Sequence, residues 1–173
     1  MSVFSKIKKK WERRFVPLTE RFRKQGGTIG NGCEIHDTVS FGSEPYLITI
    51  GNNVRIGSNV HFTTHDGGVW VIRKLGWDKE CDLFGKITIG DNTHIGTNVI
   101  IMPGVNIGKN CIIGCGAVVT KDIPDNSIAV GVPAKVISTI EQYYEKNKHL
   151  LVPTKNLSYE QKKEFIFKKN TFK

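Results

Sequence analysis

Twelve large apolar residues beat along the middle of the chain, mostly at six-residue spacing: Ile29, Ile35, Phe41, then Ile50, Ile56, Phe62, and later Ile89, Ile95, Ile101, Ile107, Ile113 and Val119. Glycine follows eight of them directly, at positions 30, 42, 51, 57, 90, 96, 108 and 114. Four residues after most beats the side chain is small, as at Cys33, Val39, Val54, Val60, Thr93, Val99, Val105, Cys111 and Ala117. A period of six is neither the 3.6 of an amphipathic helix nor strict alternation along a strand, so it marks an internal repeat. The pattern predicts a short strand, a sharp turn and a change of direction of about 120°, with three hexads closing one triangular coil of a solenoid. The large residue fills the prism, the small one lies beside it, and the glycines are expected to supply backbone freedom at the corners.

Two interruptions break the beat. Nine residues separate Phe41 from Ile50, which predicts a small bulge around Ser43–Tyr46. Twenty-seven separate Phe62 from Ile89, which predicts a long extruded loop over 67–86 carrying Trp70, Arg73, Trp77, Asp78 and Asp82. Loops of that length in compact domains are usually functional. Before the repeats, residues 1–28 read as a basic amphipathic cap. Phe4, Ile7, Trp11 and Phe15 recur at three and four, flanked by Lys6, Lys8, Lys9 and Lys10, and Pro17 interrupts them. This segment either covers the exposed first coil or docks on an anionic membrane surface. After Lys135 the pattern turns helical. Ser138 or Thr139 stands ahead of Glu141 and Gln142, and Ser158 ahead of Gln161, as helix caps within a C-terminal segment 138–173.

Across 29–137 the stacked hexads, the single extruded loop and the closing Gly131-Val132-Pro133-Ala134-Lys135-Val136-Ile137 resemble the hexapeptide-repeat acetyltransferases. The resemblance implies an all-β solenoid, a left-handed parallel β-helix. Right-handed crossovers are the rule elsewhere, so handedness comes from the family and not from the spacing. It also implies a homotrimer, and acetyl-CoA as co-substrate. Within the family the chain looks closest to galactoside and maltose O-acetyltransferases and to bacterial enzymes that acetylate sugars of capsule or lipopolysaccharide.

Charge is unevenly spread. Residues 1–24 hold nine Lys and Arg against two acids, 25–134 hold seven against ten, and 135–173 hold nine against four, giving +7, −3 and +5. The mildly acidic repeat core argues against nucleic acid along the solenoid. Cys33, Cys81, Cys111 and Cys115 show no C-x-x-C spacing and read as reduced residues of a cytoplasmic protein. No apolar run is long enough for a membrane span, which leaves peripheral contact through the basic ends.

His65 stands at the mouth of the loop beside Gly67 and Gly68, where the regular wall breaks open. The family places its general base there, and a neutral imidazole can take a proton from an attacking hydroxyl or amine. A thioester is already activated, so direct attack needs positioning, a base and an oxyanion donor. Glu44, from the bulge on the preceding coil, is a candidate to hold the other ring nitrogen, with a solvated turn as its alternative. Asp66 is a candidate for the acceptor or for the turn, and Trp70 and Trp77 offer flat faces to a sugar ring. By resemblance, Thr97, Gly104, Cys115, Thr120, Lys121 and Lys135 line the coenzyme groove, the lysines as point charges for phosphates. His94 and Ser138 depart from the family pattern. The acceptor is expected to be a sugar or glycolipid hydroxyl; the alternative is the amine of a nucleotide-linked amino sugar. A further alternative is a zinc protein of the γ-carbonic-anhydrase type, whose zinc is bound by three histidines at subunit boundaries and for which this chain offers His61, His65 and His94; the main reading assigns no metal.

Overall fold

The structure, a computed structural model, describes residues 16–169, which form two compact units dividing between Glu141 and Gln142. Phe4, Ile7, Trp11, Phe15 and the lysines between them lie outside the described residues. The first described helix, α1 (Leu18–Lys24), starts directly after Pro17 and buries Phe22.

Most hexads form a strand of two or three residues; the Phe41 hexad makes only an isolated bridge from Ser40 to His61, and the last two strands have four and five residues. In chain order the strands are β1 (Thr28–Ile29), β2 (Glu34–Ile35), β3 (Ile48–Ile50), β4 (Arg55–Ile56), β5 (His61–Phe62), β6 (Ile87–Ile89) and β7 (His94–Ile95). There follow β8 (Ile100–Ile101), β9 (Asn106–Ile107), β10 (Ile112–Ile113), β11 (Val118–Val119), β12 (Ser127–Val130) and β13 (Lys135–Thr139). The chain visits three sheets in rotation. One contains β1, β3, β6 and β9; the second contains β2, β4, β7, β10 and β12; the third contains β5, β8 and β11. All of these pairs are parallel.

Register shows how the interruptions are absorbed. Ile112 faces His94, a step of 18 residues, or three hexads. Glu34 faces Arg55, a step of 21, so the bulge adds three residues. Arg55 faces His94, a step of 39, so the loop adds 21 more. Neither insertion shifts the inward beat, because each is expelled at a corner. The bulge forms a 3-10 turn at Pro45–Leu47, and the loop carries a short helix, α2 (Val69–Leu75), which the hydrophobic spacing did not announce.

The beat residues from Phe41 to Val119 are buried, while Ile29 and Ile35 of the first coil are partly covered. The end of the prism next to α1 is filled by aromatics: Phe22 lies 4.1 Å from Phe41, which lies 5.3 Å from Phe62, centroid to centroid. Each fully buried isoleucine contributes about 1.5–3 kcal/mol relative to exposure.

The glycines after the beat do a different job from the one expected. Among those eight, only Gly42 has a positive φ. The left-handed residue comes three after the beat and is usually asparagine, as at Asn53, Asn59, Asn92, Asn98 and Asn110. Asparagine tolerates that conformation through local hydrogen bonding. At one corner the same residues form a ladder, Asn53 to Asn92 (3.2 Å), Asn92 to Asn110 (3.2 Å) and Asn110 to Asn126 (2.8 Å). The glycines are there for close approach: a Cβ on Gly96 would sit 2.6 Å from the Cys115 nitrogen, and one on Gly90 2.5 Å from that of Lys109.

The helix expected after Lys135 begins directly after Thr139, one of the two expected caps, but a strand precedes it. Residues 135–139 form β13, antiparallel to β12, because the edge of β12 still offers unpaired backbone groups. Helix α3 (Ile140–Asn147) begins only after it. In the second unit, α4 (Tyr159–Lys169) opens with a reciprocal cap, Ser158 N–H to Gln161 Oε1 at 2.9 Å and Gln161 N–H to Ser158 Oγ at 3.3 Å. No helix among the described residues is long and apolar enough to cross a membrane.

Candidate active site

Where the third sheet ends at Phe62, Thr63 still follows the coil, its N–H donating to Ile101 O at 2.9 Å. The chain then leaves the wall, and the returning end of the loop pins the departure. Asp66 N–H donates to Leu83 O and Gly85 N–H to Thr64 O, both at 2.9 Å. His65 is thereby bridged to Phe84, whose ring meets the imidazole edge-on with centroids 6.4 Å apart.

Glu44 reaches His65 from the bulge on the coil below. Its Oε2 accepts from His65 Nδ1 at 2.9 Å and from Thr64 Oγ1 at 2.7 Å. The Glu44 side chain is 14% exposed and that of His65 45%. A carboxylate only accepts, so Nδ1 carries a proton, and in the neutral ring Nε2 is then the acceptor. The Thr64 hydroxyl, with the His65 hydrogen bond beside it, holds the Glu44 carboxyl below its ordinary value against the opposing effect of burial. Threonine at 64 is buried and was not singled out by the sequence; its position next to the histidine was the available signal.

A cavity of about 340 Å³ opens here. The bulge gives it Ser43 and Glu44, the strand end gives His65, Asp66 and Gly67, and the loop gives Val69, Arg73, Asp82 and Phe84. Asp66 also shapes the turn, accepting from Gly68 N–H at 2.7 Å. Trp70 and Trp77 do not line this cavity. They are 58% and 77% exposed, and Lys74 Nζ stands 5.6 Å over the Trp70 ring. In their place the loop presents Arg73, Asp82 and Phe84, which spacing alone could not rank above the tryptophans.

The coenzyme candidates fall on two corners. Thr97 and Cys115 stack between the second and third sheets, where Gly116 N–H donates to Thr97 O at 2.8 Å and Ser58 Oγ lies 3.4 Å from Thr97 Oγ1. Gly104, Thr120 and Lys121 sit at the corner after the third sheet, the corner from which the loop departs on an earlier coil. Lys135 opens β13, and both lysines are exposed. None of these six lines the His65 cavity. Gly104 and Gly116 have nothing within 4 Å of where a Cβ would be, so on that side both permit close approach.

Within one chain the three histidines of the zinc alternative do not meet. His61 lies on β5 of the third sheet and His94 on β7 of the second, although they hold the same place in their hexads. Among the described residues no group of three or more His, Cys, Asp or Glu could hold a metal ion. His94 Nδ1 is buried without a hydrogen-bond partner; burial, and then the Arg55 charge, push its pKa down. Burial also pushes the Cys111 thiol up, in keeping with a packing residue.

Comparison with known proteins bears on this geometry. The family model described as bacterial transferase hexapeptide (six repeats) matches residues 86–121. Protein CapG of Staphylococcus aureus is 50% identical over 158 residues, covering 88% of this chain and 91% of that protein. Galactoside O-acetyltransferase of Escherichia coli (strain K12) is 46% identical over 106 residues, 61% of this chain, which therefore spans only 49% of that relative. A solved galactoside acetyltransferase in complex with coenzyme A superposes with a TM-score of 0.58 at 30% identity, over 78% of each chain.

Proposed function

Because this chain belongs to the hexapeptide-repeat acetyltransferase family, we propose that it transfers acetyl from acetyl-CoA to a sugar hydroxyl, with His65 as general base. The observation that carries this reading is the Glu44–His65 pair at the mouth of the loop, in which Nδ1 is tied to a carboxylate; that leaves Nε2 for the proposed proton transfer. The thioester supplies an activated acetyl group, so no covalent acyl-enzyme is needed. His65 Nε2 takes the acceptor's proton as its oxygen attacks the thioester carbonyl. Glu44 steadies the imidazolium through Nδ1–H, and the same Nε2 returns the proton to the departing thiolate.

The close approach permitted at Gly104 and Gly116 fits the pantetheine arm, and exposed Lys121 and Lys135 fit its phosphates. Winding is read as left-handed through family membership. We read the assembly as a homotrimer in which His65 of one chain faces the coenzyme groove of the next. The separation of the His65 cavity from all six coenzyme candidates supports that reading. The setting is surface-polysaccharide biosynthesis, implied by the resemblance of the Thr64–Trp70 stretch to enzymes acting on capsule or lipopolysaccharide sugars.

The test is His65→Ala with steady-state kinetics. A general base contributes typically 10² to 10⁴ in rate, so kcat should fall by about that factor while KM for acetyl-CoA stays within about twofold. Half the wild-type turnover in the variant would refute the assignment.

A further inference from the structure

We infer that the His65 cavity admits neutral or amino sugars and rejects anionic ones, and that the Arg73–Asp82 ion pair sets this selectivity. The inference rests on the acetyl-transfer reading and adds the charge class of the acceptor. The cavity, at about 340 Å³, is at the small end for ligand sites, so it takes one sugar ring. Three carboxylates line it, Glu44, Asp66 and Asp82, against one guanidinium, Arg73.

The partners of these groups decide what a ligand meets. Arg73 Nη1 is already committed, to Asp82 Oδ1 at 2.7 Å and to Cys81 O at 3.0 Å. It braces the loop wall, and its charge is offset by Asp82, which leaves the lining with a net excess of carboxylates. Glu44 is occupied by Thr64 and His65, and Asp66 Oδ1 by Gly68 N–H, but neither is paired with a cation other than a protonated His65. An anionic acceptor would enter against unneutralised carboxylates, and like-charge juxtaposition is how binding sites reject wrong partners. Sugar hydroxyls, by contrast, can donate to the remaining lone pairs of Asp66 and Glu44, and a sugar face can rest on Phe84 and Val69. A protonated amine would gain from the same carboxylates.

Two substitutions move the charge balance in opposite directions. Asp82→Asn keeps the shape, removes one negative charge and frees the Arg73 fork to take an anion in bidentate fashion. Arg73→Gln removes the single cation. Simple collapse of the loop would harm every acceptor alike.

The experiment uses the full chain with methyl hexosides, the matching hexosamines, hexuronates and hexose 6-phosphates. Binding is followed by calorimetry and acetylation by release of free coenzyme A. In wild type, hexosides and hexosamines should bind at least about tenfold more tightly than hexuronates and hexose phosphates. Asp82→Asn should close that ratio by about tenfold and Arg73→Gln should widen it. Equal or tighter binding of the anionic sugars, absence of binding by any neutral or amino sugar, or parallel shifts in the two variants would overturn the inference. If the binding order holds but no sugar is acetylated, the charge selection stands and the acetyl-transfer reading fails.

Discussion

Replacing Glu44 by Gln isolates the charge of the pair from its shape. In the native chain Glu44 Oε2 receives hydrogen bonds from Thr64 Oγ1 at 2.7 Å and His65 Nδ1 at 2.9 Å. Glutamine can still accept from Nδ1–H and so can keep the tautomer, but it offers no charge to the imidazolium of the proposed proton transfer. A hydrogen bond to a charged group contributes about 1.5–3 kcal/mol against about 0.5–1.5 for a neutral pair. The difference of about 1–2 kcal/mol corresponds to a loss of about 5- to 30-fold in kcat. Glu44→Ala should lose more, because it strands both His65 Nδ1 and the buried Thr64 hydroxyl. In the proposed mechanism Glu44 acts through His65, so the effect belongs in kcat while KM for acetyl-CoA stays near wild type. Stability supplies an independent readout. The Glu44 carboxyl is held below its ordinary value of 4.5, so its contribution is fully present above that value and is lost as pH falls through the depressed one. Glu44→Gln should therefore be less stable than wild type at neutral pH, and the gap should close in acid. A variant keeping more than half of kcat, or one whose loss lies mainly in KM for acetyl-CoA, would refute the positioning role.

His94 titrates in the other sense: burial lowers its pKa from 6.5, so the unfolded chain binds a proton that the folded chain refuses, and stability falls as pH drops through about 6.5. Denaturation midpoints from pH 8 to 5 should show His94→Leu losing less stability than wild type over that window; identical slopes would remove His94 as the cause. Gly96→Ala places a methyl 2.6 Å from the Cys115 nitrogen on the next coil and should cost at least about 1–3 kcal/mol in denaturant unfolding, whereas Gly67→Ala, with open space at its Cβ, should stay within about 0.5 kcal/mol. Equal costs at the two glycines would show that coil spacing is not set there.

The sequence by itself determined the prism. A buried residue every six positions calls for a chain that turns the same face inward at every hexad, and the beat from Phe41 to Val119 is buried accordingly, with an 18-residue register that closes three hexads into one coil. It also located both insertions, since a break in phase must be expelled at a corner for the core to continue. It placed His65 at the opening and named Glu44 as a candidate partner, because a bulge one coil before the loop emerges at a neighbouring level of the same prism. What it could not resolve depends on distances between residues far apart in sequence. The glycines after the beat are small because the next coil's backbone lies against them, while the left-handed corners fall to asparagine. Residues 135–139 form a strand that the sequence pattern did not announce, because β12 left an edge to pair with, and the expected helix begins after Thr139. In the loop, tryptophans outrank other residues as a sugar platform on chemistry alone, yet folding turns Arg73, Asp82 and Phe84 into the cavity and leaves Trp70 and Trp77 in solvent. An 18-residue coil brings each position beside the residue one turn away, so the inward pattern is legible locally. A 21-residue excursion has no such lattice, and only its tertiary contacts decide which side chains return to the site.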